Sequence, residues 1–133
     1  MYKYIIFKKS EATRLIYGIG VDITDIARIQ AAQAKNAQFK ARVLTAAELA
    51  IYEQLTPKRQ AEYLTGRFSA KESFGKALGT GIGRVSLLDI EILDDELGKP
   101  VVTKNPFAGR ALVSISHTDT LVMSEVILER GTD

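Results

Sequence analysis

Apolar positions along the chain change period twice, from a strand-like start to helical spacing and then to alternation, and the elements follow from that. Residues 15–22 hold Ile16, Ile19 and Val21 among Gly18 and Gly20 and end at Asp22, which predicts a buried strand. Ile26 and Ile29 follow at helical spacing, so a helix starts near Asp25. A short helix is predicted over 39–43. Thr45 and Glu48 match a capping box, which starts a helix running through Leu55. Thr56 and Pro57 supply an N-cap and a proline at the first helical position. The longest helix then covers 57–78, and Gly79 stops it. Past Gly83 the period falls to two. Strands are predicted over 85–93, 101–102, 112–116 and 121–128, with a turn at 94–100. Adjacent strands with short connections favour antiparallel pairing. The fold class is α+β: a small antiparallel sheet packed with a long helix and shorter helices, the helices on one face.

The long helix has three faces at 100° per residue. Leu64, Phe68, Phe74 and Leu78 form a broad apolar arc. Gly66, Ala70, Ser73 and Ala77 form a ridge of small residues suited to close packing. Thr65, Ser69, Glu72 and Lys76 share a polar face. On spacing alone, Glu72 and Lys76 read as a solvated pair one turn apart, worth roughly 0.3–0.5 kcal/mol. Arg67 and Lys71 fall within or beside the apolar arc, where a charged head must snorkel or meet an anion. Their place just before Gly79-Thr80-Gly81-Ile82-Gly83 adds weight to phosphate binding. The helix C-terminal dipole disfavours anions. Any anion there needs the lysine side chains or turned backbone N–H groups.

Composition narrows the class. The 133 residues are 46% hydrophobic and 26% charged, as in one ordinary globular domain. Cysteine is absent, which removes disulfides and thiolate metal sites and fits a cytoplasmic protein. The net charge of +2 is too small to imply nucleic acid, so any basic patch must be local. No apolar run reaches a membrane span, and 1–9 lacks the features of a signal peptide. No membrane or nucleic-acid partner is expected.

Three more residues are candidates. Asp22 ends a strand, where a turn or cap role competes with metal binding; Asp25 competes for the same cap. Magnesium takes one or two carboxylates, with substrate phosphates and water completing its shell. His117, the only histidine, sits between two strands. It is either simply exposed or a donor to phosphate or ribose, or a proton carrier. Arg28 lies on the first helix, as an exposed charge or a contact to an acidic partner.

Three motifs in order resemble the acyl-carrier-protein-synthase type of 4′-phosphopantetheinyl transferase, from about Leu15 to Glu129. Gly18, Gly20 and Asp22 match its glycine–X–glycine–X–aspartate motif. Lys71, Glu72, Lys76 and Ala77 match the second, with Ser73 where alanine is common. Ser116-His117-Thr118 fits the third. The resemblance implies transfer of 4′-phosphopantetheine from coenzyme A to a serine of apo acyl carrier protein, releasing adenosine 3′,5′-bisphosphate, with Mg2+ required. Asp22 and Glu72 become metal ligands and, with Lys76, the catalytic set. Arg67, Lys71, Gly79, Gly81 and His117 would surround coenzyme A. Arg28 would meet the acidic carrier protein. It also implies a homotrimer with sites between subunits, and sets 1–14 apart as an extension preceding a 15–133 domain.

Two other functions use the same residues. One is a metal-dependent nucleotide or pyrophosphate hydrolase. The other is a non-catalytic trimer that binds coenzyme A. The pair Asp22 and Glu72 argues against the second, since binding alone need not include a metal-ligand pair.

Overall fold

A computed structural model describes residues 15–131; the extension expected at 1–14 lies outside them. Strand β1 (Ile16–Asp25) leads into α1 (Ile26–Lys35), α2 (Phe39–Val43), α3 (Ala46–Glu53) and the long α4 (Pro57–Leu78). Strands β2 (Glu91–Asp94), β3 (Pro100–Lys104), β4 (Gly109–His117) and β5 (Leu121–Arg130) complete the chain. The α+β class is as expected, with the strands divided between two sheets. One is antiparallel in the order β1-β5-β4, and the other is the β2-β3 pair.

Local signals set the helix ends. The Thr45 side chain accepts from the Glu48 N–H, and the Glu48 side chain accepts from the Thr45 N–H, closing the capping box of α3. The Thr56 hydroxyl accepts from the Arg59 N–H, and Pro57 opens α4. Gly79 ends α4 at φ 93°, a left-handed conformation that glycine reaches without a Cβ penalty. Asp25 stands at the N-cap of α1 but its side chain makes no capping bond.

Helix α4 lies between two apolar clusters. Ala70, Phe74 and Ala77 pack with Ile90, Ile92, Val126 and Leu128. Tyr63 and Leu64 pack with Ile29, Val43, Leu44 and Tyr52. The helix is therefore buried on more than one side. Thr65 and Ser69, expected on a polar face, are fully enclosed. A helix wheel cannot show this, because it assumes one core on one side.

Two expectations are corrected. Ile16, Ile19 and Val21 do not face the core; with Ile23 they lie exposed on the outer side of β1. Strand alternation then sends Gly18, Gly20, Asp22 and Thr24 towards α4. The strand predicted over 85–93 is broken. Ser86 accepts from the Leu88 N–H while Asp89 accepts from the Ser86 N–H, forming a 3-10 turn at Leu87–Asp89. Such local side-chain bonds compete with a strand ladder, and β2 begins only at Glu91.

Candidate active site

The site begins with two missing side chains. A Cβ on Gly18 would overlap the Ala77 carbonyl, and one on Gly20 would overlap the Ser73 carbonyl. Without them, the backbone of α4 lies directly against β1. Asp22, two residues beyond Gly20, is thereby brought beside the face of α4 that carries Ser69, Glu72 and Lys76.

Asp22 is tightly held. Its Oδ2 accepts from the Thr24 hydroxyl at 2.6 Å and from the Ser69 hydroxyl at 2.8 Å. Lys76 Nζ donates to the Val21 carbonyl at 2.9 Å and lies 3.4 Å from Asp22 Oδ1. The Lys76 side chain is half exposed. Glu72 is half-buried beside it. Partial burial, then the Asp22 charge, pushes its carboxyl above the ordinary range; Lys76 and Arg28 pull the other way. The Asp22 charge thus acts directly on the Glu72 carboxyl, and two neighbouring carboxylates are a donor set that suits a divalent cation. Among the described residues no cluster of three or more His, Cys, Asp or Glu could hold a metal ion. Two carboxylates are a number magnesium takes when phosphates and water supply the rest.

Lys71 is placed elsewhere, which corrects its assignment to coenzyme binding. Its side chain is fully enclosed, and Nζ donates to Glu48 Oε1 and the Val43 carbonyl, both at 2.6 Å. Glu48 Oε2 accepts from the Ile92 N–H at 2.8 Å. Burial lowers the Lys71 pKa while Glu48 opposes that. A buried ammonium needs a partner and satisfied protons; here α2 and α3 supply them, and β2 supports the Glu48 carboxylate. The pair ties these elements to α4.

Gly79 and Gly81 also differ from expectation. Their N–H groups donate to the carbonyls of Gly75 and Lys76 (Gly79) and of Gly75 (Gly81). They complete the helix end, so neither amide is turned outward to an anion. Arg28 is exposed on α1, 5.7 Å from the centre of the Phe68 ring, and its charge reaches Glu72.

Arg67 and His117 meet in a second cavity of about 160 Å3, lined also by Arg59, Glu62, Tyr63 and Asp94. Arg67 is buried. It donates to the Ile92 carbonyl at 3.1 Å and to Asp94 Oδ1 at 3.0 Å, and its guanidinium lies 4.3 Å from the Tyr63 ring centre. His117 is exposed, with Nδ1 4.0 Å from Glu62. The Tyr63 hydroxyl is buried with no hydrogen-bond partner, and burial pushes its pKa up to about 12. No sequence motif points to Tyr63 or Arg59. Ser69 lies on the Glu72 face of the wheel, and Ser124 shares the inward strand face of Val122 and Val126; both signals are in the sequence.

Asp22 on β1 and Glu72 and Lys76 on α4 thus stand together where the helix is pressed against the strand. A family model for the 4′-phosphopantetheinyl transferase superfamily matches residues 18–126, and the chain belongs to that family. A holo-[acyl-carrier-protein] synthase of Lacticaseibacillus casei is 65% identical over 116 residues, covering 87% of this chain and 94% of its own length. The synthase of Levilactobacillus brevis is 52% identical over 90% of this chain and 98% of its own. A solved holo-(acyl-carrier-protein) synthase from Bacillus anthracis, in complex with CoA (3′,5′-ADP), has TM-score 0.83 and 39% identity, covering 89% of this chain and all of that one. The Neisseria meningitidis synthase has TM-score 0.80 and 38% identity, covering 87% of this chain and all of that one.

Proposed function

We propose that this chain transfers 4′-phosphopantetheine from coenzyme A to a serine of apo acyl carrier protein and releases adenosine 3′,5′-bisphosphate. The observation that carries the reading is the convergence of Asp22, Glu72 and Lys76 across the β1–α4 contact. The serine oxygen forms a bond to the phosphorus next to pantetheine, and the pyrophosphate bridge breaks towards adenosine 3′,5′-bisphosphate. Such transfer needs positioning and charge neutralisation more than covalent catalysis by the enzyme.

Asp22 and Glu72 would hold Mg2+, which supplies positive charge to the pyrophosphate when bound. Lys76 stands on the same helix face and meets the charge that develops on the phosphate oxygens. The cavity with Arg59, Arg67 and His117 offers hydrogen-bond donors to another anionic part of the coenzyme. Arg28, exposed and next to the site, meets the acidic carrier protein.

A homotrimer is part of the same reading. Its support is the outer face of the larger sheet, where Ile19 is 58%, Ile23 64% and Met123 48% exposed. Contiguous apolar surface of this kind marks an interaction face, and sedimentation analysis tests it. Among the described residues no helix is long and apolar enough to cross a membrane; cytoplasmic location belongs to the proposal.

Release of adenosine 3′,5′-bisphosphate from coenzyme A and magnesium, with and without apo carrier protein, tests the function. Release that requires the carrier supports it. Release to water alone would identify a hydrolase, and no release would leave a binding module.

A further inference from the structure

Behind Asp22 runs a buried chain of three hydroxyls. Ser69 and Ser73 lie one turn apart on α4, and Ser124 lies on β5 directly opposite Asp22 in the sheet. Ser69 and Ser73 are fully buried and Ser124 is 1% exposed. The oxygens of Ser69 and Ser124 are 2.8 Å apart, and those of Ser124 and Ser73 are 2.7 Å apart.

The direction of these bonds follows from the carboxylate. An ionised Asp22 only accepts, so Ser69 donates its single hydrogen to Oδ2. Ser69 then has only lone pairs for Ser124, which must donate to it. With its hydrogen used, the Ser124 hydroxyl accepts from Ser73 at the shorter distance of 2.7 Å, with the Ser124 carbonyl a second acceptor for Ser73 at 3.2 Å. Every hydroxyl dipole in the chain therefore points its positive end at Asp22, and each bond polarises the next. Thr24 donates to the same oxygen. Oδ2 is saturated by neutral donors, and Oδ1 is left towards Lys76.

We propose that Ser69 is a positioning residue for Asp22: at the head of the Ser73–Ser124–Ser69 chain, it fixes the carboxylate so that Oδ1 is presented for a divalent cation. This rests on the assignment of Asp22 as a metal ligand above. Partners behind a ligating carboxylate typically set metal affinity by about 10–100-fold.

The test is Mn2+ binding, followed by electron paramagnetic resonance, to folded protein saturated with coenzyme A, with urea unfolding of each variant measured alongside. Ser69→Ala is expected to weaken Mn2+ binding about tenfold or more. Ser73→Ala, at the far end, is expected to weaken it far less while losing comparable stability. Ser69→Thr, which keeps the hydroxyl, is expected to restore much of the affinity. Asp22→Asn serves as the control on the parent reading. If Asp22→Asn weakens Mn2+ but Ser69→Ala binds it as the wild type does, the positioning role is wrong and the ligand assignment stands. If Ser69→Ala and Ser73→Ala weaken it equally, the chain is merely structural and the proposal fails. If Asp22→Asn leaves Mn2+ binding unchanged, the ligand assignment and the positioning role fall together.

Discussion

Lys71 and Lys76 sit five residues apart on one helix and do opposite things. Lys71 is fully enclosed and donates to Glu48 and a carbonyl of α2. Lys76 is half exposed and spans to β1, where it reaches Val21 and Asp22. Five residues at 100° per residue turn the helix by 140°, enough to move from the side facing α2 and α3 to the side facing β1. The lesson is that a cation on a helix acquires its role from what packs on its side. Lys71 holds the scaffold in register, while Lys76 keeps an exposed ammonium beside Asp22.

Breaking the buried side gives the largest expected effect. Lys71→Met leaves the Glu48 carboxylate in the core without its counter-charge. Removing one partner of a buried pair costs about 3–5 kcal/mol, read as a lower urea midpoint. The residual folded protein is expected to keep its coenzyme affinity. A stable Lys71→Met protein that no longer binds coenzyme A would put Lys71 back in the site.

On the open side, Asp22→Ala and Glu72→Ala are each expected to reduce transfer by roughly 10³-fold while circular dichroism stays native; loss of one preorganised electrostatic contact reaches that size. Near-normal rates at saturating magnesium in either variant would remove it from the metal site. Lys76→Ala is expected to lower kcat by about 10²-fold with a smaller change in the coenzyme KM. Normal turnover with only a raised KM would make Lys76 a binding group instead.

The contrast between the two lysines also measures how much was legible in the sequence. Helix ends were readable, because Thr45 with Glu48, Thr56 with Pro57, and Gly79 act within a few residues of themselves. Motif resemblance singled out Asp22, Glu72 and Lys76, which the fold places at one β1–α4 contact, and the ridge of Ser73 and Ala77 foretold that contact. Lys71 was not readable. Its partner Glu48 is 23 positions away and already had a local role as the box acid, which it keeps while also taking the lysine. The outward Ile19 and Val21 misled for a related reason. Glycine, not isoleucine, faces the helix on β1, because contact distance rather than hydrophobicity decides that face. The break at 85–93 came from Ser86 and Asp89 bonding locally, which alternation of apolar residues does not register.

Smaller effects sharpen the boundary of the open side. Arg28→Ala is expected to raise the carrier-protein KM by about fivefold and to flatten the salt dependence of the reaction, with coenzyme affinity by calorimetry unchanged. Lost coenzyme affinity would assign Arg28 to the coenzyme instead. Glu72→Gln is expected to stabilise magnesium-free protein slightly at neutral pH. The sign follows from a folded pKa raised above the ordinary 4.5. The folded state then binds the proton more tightly, so ionisation of Glu72 costs stability as pH rises through the folded value. The advantage of Gln is therefore greatest at neutral pH and fades as pH falls towards 4.5. Thermal melts across that range check it, and an advantage that grows in acid would contradict the direction.

The central claim is that Asp22, Glu72 and Lys76 form the centre of a phosphopantetheine transfer site. Its most direct test is intact-protein mass spectrometry of apo acyl carrier protein after incubation with coenzyme A, magnesium and either the wild type or Asp22→Ala. A gain of one phosphopantetheine with the wild type, blocked by mutating the carrier serine and nearly absent with folded Asp22→Ala, is the predicted result. An unmodified carrier with the wild type, or an equal gain with Asp22→Ala, would contradict it.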